Sequence, residues 1–526
     1  MSQAKSDPLL LPREAWASRL GLILAMAGNA IGLGNFLRFP VQAARNGSGA
    51  FMIPYFVALI LLGIPLMWVE WAIGRHGGAH HGHGSTPGMF QALAQRPWAK
   101  YLGVLGLFNP LVVLIYYTYI ESWTMAYSFF SATGKYFGVT TRQEMGVFLQ
   151  SFQGFAASPH FPAGIETAYV FMLITLGINV FILYKGIVAG IERLAKIAMP
   201  LLFLFAIALV VRVFTLGTPD PAHPDWNVGA GMGYLWNPDF SKLMDATPWL
   251  AAAGQIFFTL SLGMGSIQCY ASYVKKNDDL ALTGLTTAAT NEFAEVLLGG
   301  CIAIPIAVAF FGLVETQQIA AAGAYDLGFQ SMPIIFQKIP FGHLFGFLWF
   351  GLLFFAGITS SVAMGQPIMA FLQEEFGFSR KKAVAVLSIA VFLCIQPVVF
   401  FRPFLGEMDF WSGTIGLALF ALIEVILFGW VFGMDRAWAE ITRGADIRVP
   451  WFFYYVIRFV TPAYLLFIFG FWFYQDALPT LRMQGVAAAD RPLVLWARGL
   501  MLLIFAVSLL LFGHAFGRRR RAGRTA

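Results

Sequence analysis

About twelve apolar segments, each long enough to cross a lipid bilayer, run through this sequence from residue 18 to residue 516. A helix needs about 20 apolar residues to span the hydrocarbon layer, and its backbone polar groups must pair within the helix. The sequence therefore predicts an all-α polytopic membrane protein, with 12 transmembrane helices in a single domain that covers residues 1–526. The predicted spans are 18–45, 49–74, 99–130, 166–184, 190–214, 246–273, 281–312, 342–373, 381–401, 408–432, 451–474 and 493–516.

The composition supports this class and argues against others. Of the 526 residues, 58% are hydrophobic and 12% charged, whereas soluble domains carry about 25% charged residues. The net charge is +7, but the basic residues are not clustered as in a nucleic-acid-binding protein. Cys269, Cys301 and Cys394 lie far apart in apolar segments and suit neither a disulfide framework nor a metal site. The first apolar run continues as a full span, so no cleavable signal peptide is expected.

Lysine and arginine concentrate in alternate loops, which the positive-inside rule places in the cytoplasm. With an even number of spans, both termini then face the cytoplasm, and the location predicted is the inner membrane of the cell. The basic tail 517–526 holds arginines at 518–521 and suits a topological anchor.

Four histidines at 76, 80, 81 and 83 lie in a glycine-rich cytoplasmic loop, where their irregular spacing argues against a metal site. Segment 313–338 is too polar to cross and is predicted to be an external loop with some helix, turning at Gly323 and Gly328.

The first span is interrupted between Gly28 and Pro40 by three glycines and two asparagines. A broken helix is tolerated in lipid only where protein covers it or where it lines a cavity. Such breaks mark transporter binding sites, because freed carbonyl groups can hold a cation and freed N–H groups an anion. The alternative is that the glycines only allow close helix packing.

A second interrupted stretch, residues 255–266, lies in the sixth span, with Gly263 and Gly265 at mid-depth. Five spans separate the two breaks, which suggests two five-helix halves of opposite orientation. Helices 1–5 then occupy about 18–214, the inverted-repeat helices 6–10 about 246–432, and helices 11–12 about 451–516. A substrate site would lie between the two broken helices.

Several sequence blocks resemble the neurotransmitter:sodium symporter family, and closely its bacterial leucine transporter branch. They are Asn-Ala-Ile-Gly-Leu-Gly-Asn-Phe-Leu-Arg-Phe-Pro (29–40), Ile-Tyr-Tyr (115–117), Gly-Gln-Ile-Phe-Phe-Thr-Leu-Ser-Leu-Gly (254–263), Asn-Glu (291–292), Thr-Ser-Ser (359–361) and Glu-Met-Asp-Phe-Trp (407–411). The resemblance covers the chain from Arg13 onward. It implies sodium-driven symport of amino acids or related amines by alternating access, on a fold with broken helices 1 and 6.

The resemblance also implies two bound sodium ions, which are cargo, and no other cofactor. The first ion would be held by the Ala30 carbonyl, the side chains of Asn35, Thr259 and Asn291, and the substrate carboxylate. The second would be held by the carbonyls of Gly28, Ile31 and Ala356 and the hydroxyls of Thr359 and Ser360.

The substrate pocket implied by the resemblance is mainly apolar. Monoamine-transporting relatives have an aspartate where this chain has Gly32, so the substrate is expected to bring its own carboxylate, as an α-amino acid does. The leucine transporter has Phe and Ile at the positions of Met264 and Met364, and two methionines make a more adaptable wall. Large or aromatic apolar amino acids are therefore expected. The implied pocket residues are Ala30, Gly34, Val113, Tyr117, Phe258, Thr259, Ser261, Met264, Ser360 and Met364.

A carboxylate and two ion pairs complete the expectations. Glu295 stands where animal relatives bind chloride beside a small polar residue, so transport is expected to be chloride-independent. Tyr55, Gln255 and Asn291 would surround it. For the external gate, Arg38 and Asp409 would approach each other above Phe258 and Tyr117. For the internal gate, Arg13 would pair with Glu374, supported by Trp16, Ser272 and Tyr273.

Three other classes of function compete with a symporter. An enzyme would need a nucleophile and base or metal ligands, and no histidine is near the polar cluster, so no catalytic residue is predicted. A channel would show repeated pore loops or charged rings. An amino-acid sensor on the same fold, which binds without transporting, could retain every binding residue. The expected partners are a small amino acid, sodium and the lipid bilayer, with no nucleic acid. The sequence leaves open the substrate, the sodium stoichiometry, proton counter-transport and formation of a homodimer.

Overall fold

The computed structural model describes the backbone of residues 14–162 and 164–521, and side chains as far as residue 515. The predicted gate residue Arg13 and the end of the basic tail, 522–526, lie outside the described residues. Within the described residues the regular secondary structure is entirely helical, and there is no β-strand. The protein is an all-α polytopic membrane protein.

Nine helices in the described part of the chain are long and apolar enough to cross a membrane, and a bent pair gives a tenth span. Segment Glu166–Phe214 has 49 residues, or about 73 Å at 1.5 Å per residue. Because this is more than twice the hydrocarbon thickness, the segment must hold two spans, and it is interrupted at Gly186, where φ is +89°. The nine helices are Gly49–His80, Ala99–Thr133, Glu166–Phe214, Ala281–Ala322, Gly342–Phe376, Arg380–Phe400, Arg402–Thr442, Phe452–Leu481 and Arg491–Ala515.

The two predicted breaks are present as interruptions of the helical backbone. In the first span, Arg19–Ala30 and Gly34–Arg45 are separated by a short non-helical segment and bent by 48°. In the sixth span, helix Ala246–Thr259 ends and helix Ser266–Ala271 begins after a turn. That turn carries Ser261, Gly263 and Gly265 at φ values of +54°, +69° and +81°. Glycine adopts this left-handed region without a steric penalty.

The described helices pack into one core around the broken spans. Ala99–Thr133 lies along Gly342–Phe376, which also contacts helix Arg193–Phe214. Arg19–Ala30 contacts Arg193–Phe214, Ala281–Glu292 and Gly342–Phe376. The unwound part of the first span is therefore enclosed by helices on several sides, as a broken helix at membrane depth requires.

The predicted loop 313–338 is more helical than expected. Helix Gly300–Ala322 continues through it beyond a kink at Gly312, where φ is +72°. The chain does turn at Gly323, whose φ is +113°, but Gly328 lies inside a helical turn, Leu327–Ser331. Helix Met332–Lys338 follows. Short helices also occur elsewhere between the candidate spans, at Thr86–Ala94, Arg142–Phe152 and Val228–Trp236.

Candidate functional site

The two breaks lie directly against each other. Ser261, in the sixth-span turn, donates its hydroxyl proton to the carbonyl oxygen of Asn29 at 2.8 Å. Ser266 donates to the Asn29 side-chain oxygen at 3.1 Å. Asn29 thus bonds the end of the first half-helix to both sides of the second break. Asn29 was not among the predicted site residues, although it is a polar residue in an apolar run.

A cavity lies between the breaks and is closed by the third and eighth spans. Eight of the ten predicted pocket residues line it: Ala30, Val113, Tyr117, Phe258, Ser261, Met264, Ser360 and Met364. Four further residues contribute to the lining, namely Gly32, Asn35, Tyr116 and Gly413. Of these, Tyr116 and Gly413 were missed as lining residues. No described residue that lines the cavity carries a formal charge.

The remaining two predicted pocket residues lie nearby but contact different spaces. Gly34 lines the vestibule next to the cavity. A Cβ at Gly34 would be 2.5 Å from the Phe258 ring, so the absence of a side chain lets that ring approach the first span. Thr259 lies instead in a polar cluster beside the cavity. Phe258 and Tyr117 border both the cavity and the vestibule, so they separate the two.

Three side chains predicted for the first sodium site form one hydrogen-bonded group. The Asn35 amide donates to Asn291 Oδ1 at 2.8 Å and to Thr259 Oγ1 at 3.1 Å. Asn291 Nδ2 donates to Thr259 Oγ1 at 2.9 Å. The Asn35 side-chain oxygen accepts the Gly32 N–H at 2.9 Å, which fixes Asn35 to the unwound backbone. Ala30, whose carbonyl was predicted as a further ligand, is buried and lines the adjoining cavity.

The residues predicted for the second sodium site are also brought together. Ser360 Oγ lies 3.2 Å from the Gly28 carbonyl oxygen, 3.4 Å from that of Asn29 and 3.1 Å from that of Ala356. Thr359 Oγ1 lies 3.2 Å from the Ala356 oxygen. Each carbonyl oxygen has two lone pairs, so the group offers several oxygen lone pairs that a cation could share. Ile31, the fifth predicted ligand, ends the first half-helix, and its N–H donates to the Ala27 carbonyl.

Glu295 lies fully buried next to the first polar group. It accepts hydrogen bonds from Tyr55 Oη at 3.0 Å and Gln255 Nε2 at 2.9 Å, and from the Thr259 hydroxyl. Asn291, which was expected to contact Glu295, donates instead to Glu292 at 3.4 Å. Tyr55 Oη also lies 2.7 Å from Glu292. Thr259 therefore links Glu295 directly to the predicted first sodium site, a connection absent from the sequence analysis.

Arg38 and Asp409 line the same vestibule, above Phe258 and Tyr117. Among the described contacts they form no direct ion pair. The Arg38 guanidinium carbon lies 4.6 Å from the centre of the Phe258 ring, in a cation–π contact. Asp409 accepts a hydrogen bond from Tyr116 at 2.7 Å. Tyr325, which the sequence analysis did not select, also borders this vestibule.

At the other end, Glu374 accepts the backbone N–H of Gly84 at 2.8 Å. Its predicted partner Arg13 lies outside the described residues, so the pair stays a prediction. Trp16 donates its indole N–H to the Tyr270 carbonyl at 3.1 Å, and Tyr273 Oη accepts from Gln366 at 2.9 Å. Ser272 bonds to the Cys269 carbonyl.

Comparison with known proteins identifies the class of this site. The sodium:neurotransmitter symporter family matches residues 13–141 and 160–519. The chain belongs to this family. Its members are sodium-dependent membrane transporters and not enzymes, which agrees with a site made of carbonyl, hydroxyl and amide oxygens around an uncharged cavity.

Relatives in the symporter family match most of this chain. An uncharacterised sodium-dependent transporter of Methanocaldococcus jannaschii is 32% identical over 508 residues, which cover 95% of this chain and 98% of the relative. The sodium- and chloride-dependent glycine transporter 2 of Xenopus laevis is 25% identical over 531 residues, covering 88% of this chain and 64% of the relative. The crystal structure of MhsT in complex with L-phenylalanine superimposes with a TM-score of 0.73 at 31% identity, over 87% of this chain and 99% of MhsT.

Proposed function

We propose that this family member imports apolar α-amino acids, including large and aromatic ones, together with two sodium ions and without chloride. The observation that carries the proposal is the cavity between the two helix breaks, whose lining has no formal charge. A zwitterion suits such a cavity, because each of its charges can pair with backbone dipoles at a break or with a bound ion. An isolated amine or acid would leave a buried charge uncompensated, which is costly.

The side chains around the cavity support an apolar substrate. Val113, Phe258, Met264 and Met364 supply its apolar lining. Gly32 has no side chain, so no carboxylate projects from this position. A Cβ there would lie 3.0 Å from Tyr117 Oη and 3.3 Å from Ser360 Oγ, both of which belong to residues that line the cavity. MhsT, which is similar over almost its whole length, was crystallised with L-phenylalanine. The two methionines are unbranched and flexible, and they can move to admit side chains of different size.

The two oxygen groups support sodium as the coupled ion. Sodium is a hard cation that prefers oxygen ligands, and both groups offer carbonyl, hydroxyl or amide oxygens at an unwound turn. Rotation of the Asn35 amide would present its oxygen towards Thr259 and Asn291. The substrate carboxylate would complete the first site, so that ion and substrate stabilise each other. Glu295, bonded to Thr259, would supply the negative charge that chloride provides elsewhere.

Uptake into proteoliposomes tests the proposal. Labelled leucine, methionine, phenylalanine, tryptophan, alanine and glycine are offered with an inward sodium gradient, and then with potassium in place of sodium. Sodium-dependent accumulation of the apolar amino acids is expected. Sodium-dependent binding without uptake would instead support an amino-acid sensor. If none of the six amino acids is bound or taken up, the proposed substrate class is wrong.

A matched pair of serine variants tests the second ion site. Ser360→Ala removes a hydroxyl within 3.4 Å of three carbonyl oxygens. Ser388→Ala removes a hydroxyl that only bonds back to Val384 on its own helix. The Ser360 variant is expected to need a several-fold higher sodium concentration for half-maximal uptake, and the Ser388 variant to match the parent. Equal sodium dependence in both variants would argue against this ion site.

A further inference from the structure

A compact group of metal-binding side chains lies away from the transport site, on the predicted cytoplasmic side. His76 and His80 occupy one helical turn at the end of Gly49–His80, and their rings stack with centres 5.2 Å apart. Glu440 comes from helix Met434–Thr442, at the end of the tenth span. Its Oε2 lies 4.0 Å from His76 Nδ1 and 3.9 Å from His80 Nε2. One donor atom from each residue falls within 4.8 Å of the other two.

The donor atoms are close enough together, and sufficiently free of other partners, to bind a shared ligand. The His76 Nδ1 atom is buried and has no hydrogen-bond partner among the described residues. Glu440 Oε1 accepts from Arg75 Nε at 2.8 Å, and Arg75 is itself completely buried. That bond holds the carboxylate with its other oxygen facing the two imidazoles.

A cationic group already occupies the space between two of these donors. Arg443 Nη1 lies 2.9 Å from His80 Nε2 and 3.2 Å from Glu440 Oε2. The Arg443 side chain is 35% exposed, whereas that of Glu440 is 3% exposed. Arg443 can therefore swing into solvent while the carboxylate stays in place. The site attracts a positive charge, and its native occupant is displaceable.

We propose that His76, His80 and Glu440 form a binding site for a divalent transition metal, represented by Zn²⁺, which displaces Arg443. Two imidazole nitrogens and one carboxylate oxygen are a common ligand set for zinc, with water completing a tetrahedron. Ligands about 2.0–2.1 Å from the metal lie about 3.3 Å from one another. The donor atoms therefore need to approach one another by about half an ångström to one and a half ångströms. Histidines four residues apart on one helix often bind one metal. The irregular spacing of the histidines argued against a metal here, and Glu440, which is distant along the chain, could not be placed beside them from the sequence.

The metal would link the end of helix Gly49–His80 to helix Met434–Thr442, and both lie next to the end of the broken sixth span. A Cβ at Gly78, between the two histidines, would lie 2.0 Å from the carbonyl oxygen of Ser272, just after the second half-helix. A Cβ at Gly444, close to Arg443, would lie 2.3 Å from the carbonyl oxygen of Asn277. If the proposed transport function holds, the bound metal restrains this end of the sixth span and slows turnover. Metal binding itself does not depend on that function.

Calorimetric titration of Zn²⁺ into the purified full-length protein, with every polyhistidine tag removed, tests the site. The parent is expected to bind one ion, and His76→Ala and His80→Ala are each expected to weaken binding at least tenfold. His81→Ala is the matched control, because His81 is an adjacent exposed histidine whose ring lies 5.1 Å from that of His76. Unchanged affinity in both ligand variants, or an equal loss in the His81 variant, would overturn the proposal.

Arg443→Ala gives a second test, in which zinc binding is expected to become tighter instead of weaker. Removal of the competing guanidinium is expected to tighten Zn²⁺ binding several-fold, an effect that general loss of structure would not produce. Substitution of Co²⁺ should then give the visible absorption of a tetrahedral site with nitrogen and oxygen ligands. Weaker or unchanged zinc affinity in this variant would show that Arg443 does not occupy the metal position.

Sodium-driven uptake, measured with Zn²⁺ on both sides of the membrane, tests whether zinc binding also slows transport. Inhibition of the parent that a chelator reverses, and that is absent from His76→Ala, would support restraint of the sixth span. Zinc binding by calorimetry without inhibition would retain the site and reject the restraint. Absence of uptake even without zinc would count against the transport proposal alone.

Discussion

Met264 and Met364 illustrate what single side chains contribute, because both line the cavity and both replace stiffer residues of the leucine transporter. Their flexible thioether chains line the cavity without adding strongly polar groups. Thr259 is a second case. Its hydroxyl contacts Asn35, Asn291 and Glu295, so one residue connects the predicted ion site with a buried carboxyl group.

The variant Met264→Phe/Met364→Ile is expected to narrow the choice of substrate. A stiffer wall should reduce uptake of phenylalanine and tryptophan relative to leucine by about tenfold or more, since a misfitting methylene group or ring costs about 1–3 kcal/mol in a closed pocket. Competition of unlabelled amino acids against labelled leucine measures the ratio. A parallel fall in uptake of all substrates would indicate damage to the protein instead of altered selectivity.

Glu295→Ser is expected to make uptake depend on chloride. The substitution removes the carboxyl group bonded to Tyr55 and Gln255 and leaves space and hydrogen-bond donors for an anion. Sodium-driven uptake is measured in chloride and in gluconate. The parent should be equally active in both, and the variant should be active only in chloride. Equal uptake by the variant in the two salts would contradict the assigned role of Glu295.

At the scale of elements, the break in the sixth span depends on backbone conformations that few residues adopt. Gly263 has a φ of +69°, and its N–H donates to the buried Glu70 carboxyl at 2.7 Å. A Cβ at this position would lie 2.2 Å from the carbonyl oxygen of Leu417 in the tenth span. The turn is therefore held both by its own geometry and by two neighbouring spans.

Gly263→Ala is expected to destabilise the protein, whereas Gly470→Ala serves as its control. The left-handed backbone alone costs a residue with a side chain about 1–2 kcal/mol, and contact with the Leu417 backbone adds to that cost. Gly470 lies in helix Thr461–Trp472, where a Cβ would meet nothing within 4 Å. The midpoint of thermal unfolding, followed by size-exclusion chromatography in detergent, should fall only for Gly263→Ala. An unchanged midpoint would show that this turn can rearrange.

At the scale of the whole molecule, the proposed coupling between sodium binding and substrate binding depends on both five-helix halves together. The cavity is closed by residues from the first, third, sixth, eighth and tenth spans. Both polar groups include backbone groups at the first break, namely the Gly32 N–H in one and the Gly28 carbonyl at the end of the first half-helix in the other. Binding of an ion there and binding of a substrate in the cavity therefore act on the same backbone.

Sodium should raise the affinity for phenylalanine by the same factor by which phenylalanine raises the affinity for sodium. Coupling of about 1–3 kcal/mol corresponds to a factor of about 5–150. Equilibrium binding of labelled phenylalanine at several sodium concentrations, and of labelled sodium at several phenylalanine concentrations, measures both. Phenethylamine lacks the carboxylate and should show far weaker coupling. Equal coupling with phenethylamine would exclude the carboxylate as the link.

Much of the architecture follows from local properties of the sequence. Apolar length determines the spans, and glycines within an apolar run identify the breaks, because both depend on residues close together in the chain. Segment 313–338 shows the limit of such reasoning, since only a loop with some helix was expected there, whereas helix Gly300–Ala322 extends into it and helix Met332–Lys338 follows. The predicted residues of the cavity and the two polar groups were selected by resemblance of motifs and not from composition.

The sequence by itself determined that this chain is a bundle of membrane helices and that its first and sixth spans are broken. The reason is that the length of an apolar run and the presence of glycine affect the backbone locally. Only the tertiary structure decided which distant groups meet. It joined Ser261 to Asn29 across the breaks and placed Glu440 beside His76. It also put Tyr55 between Glu292 and Glu295. The physical reason is that these distances depend on how whole helices pack, which no local pattern specifies.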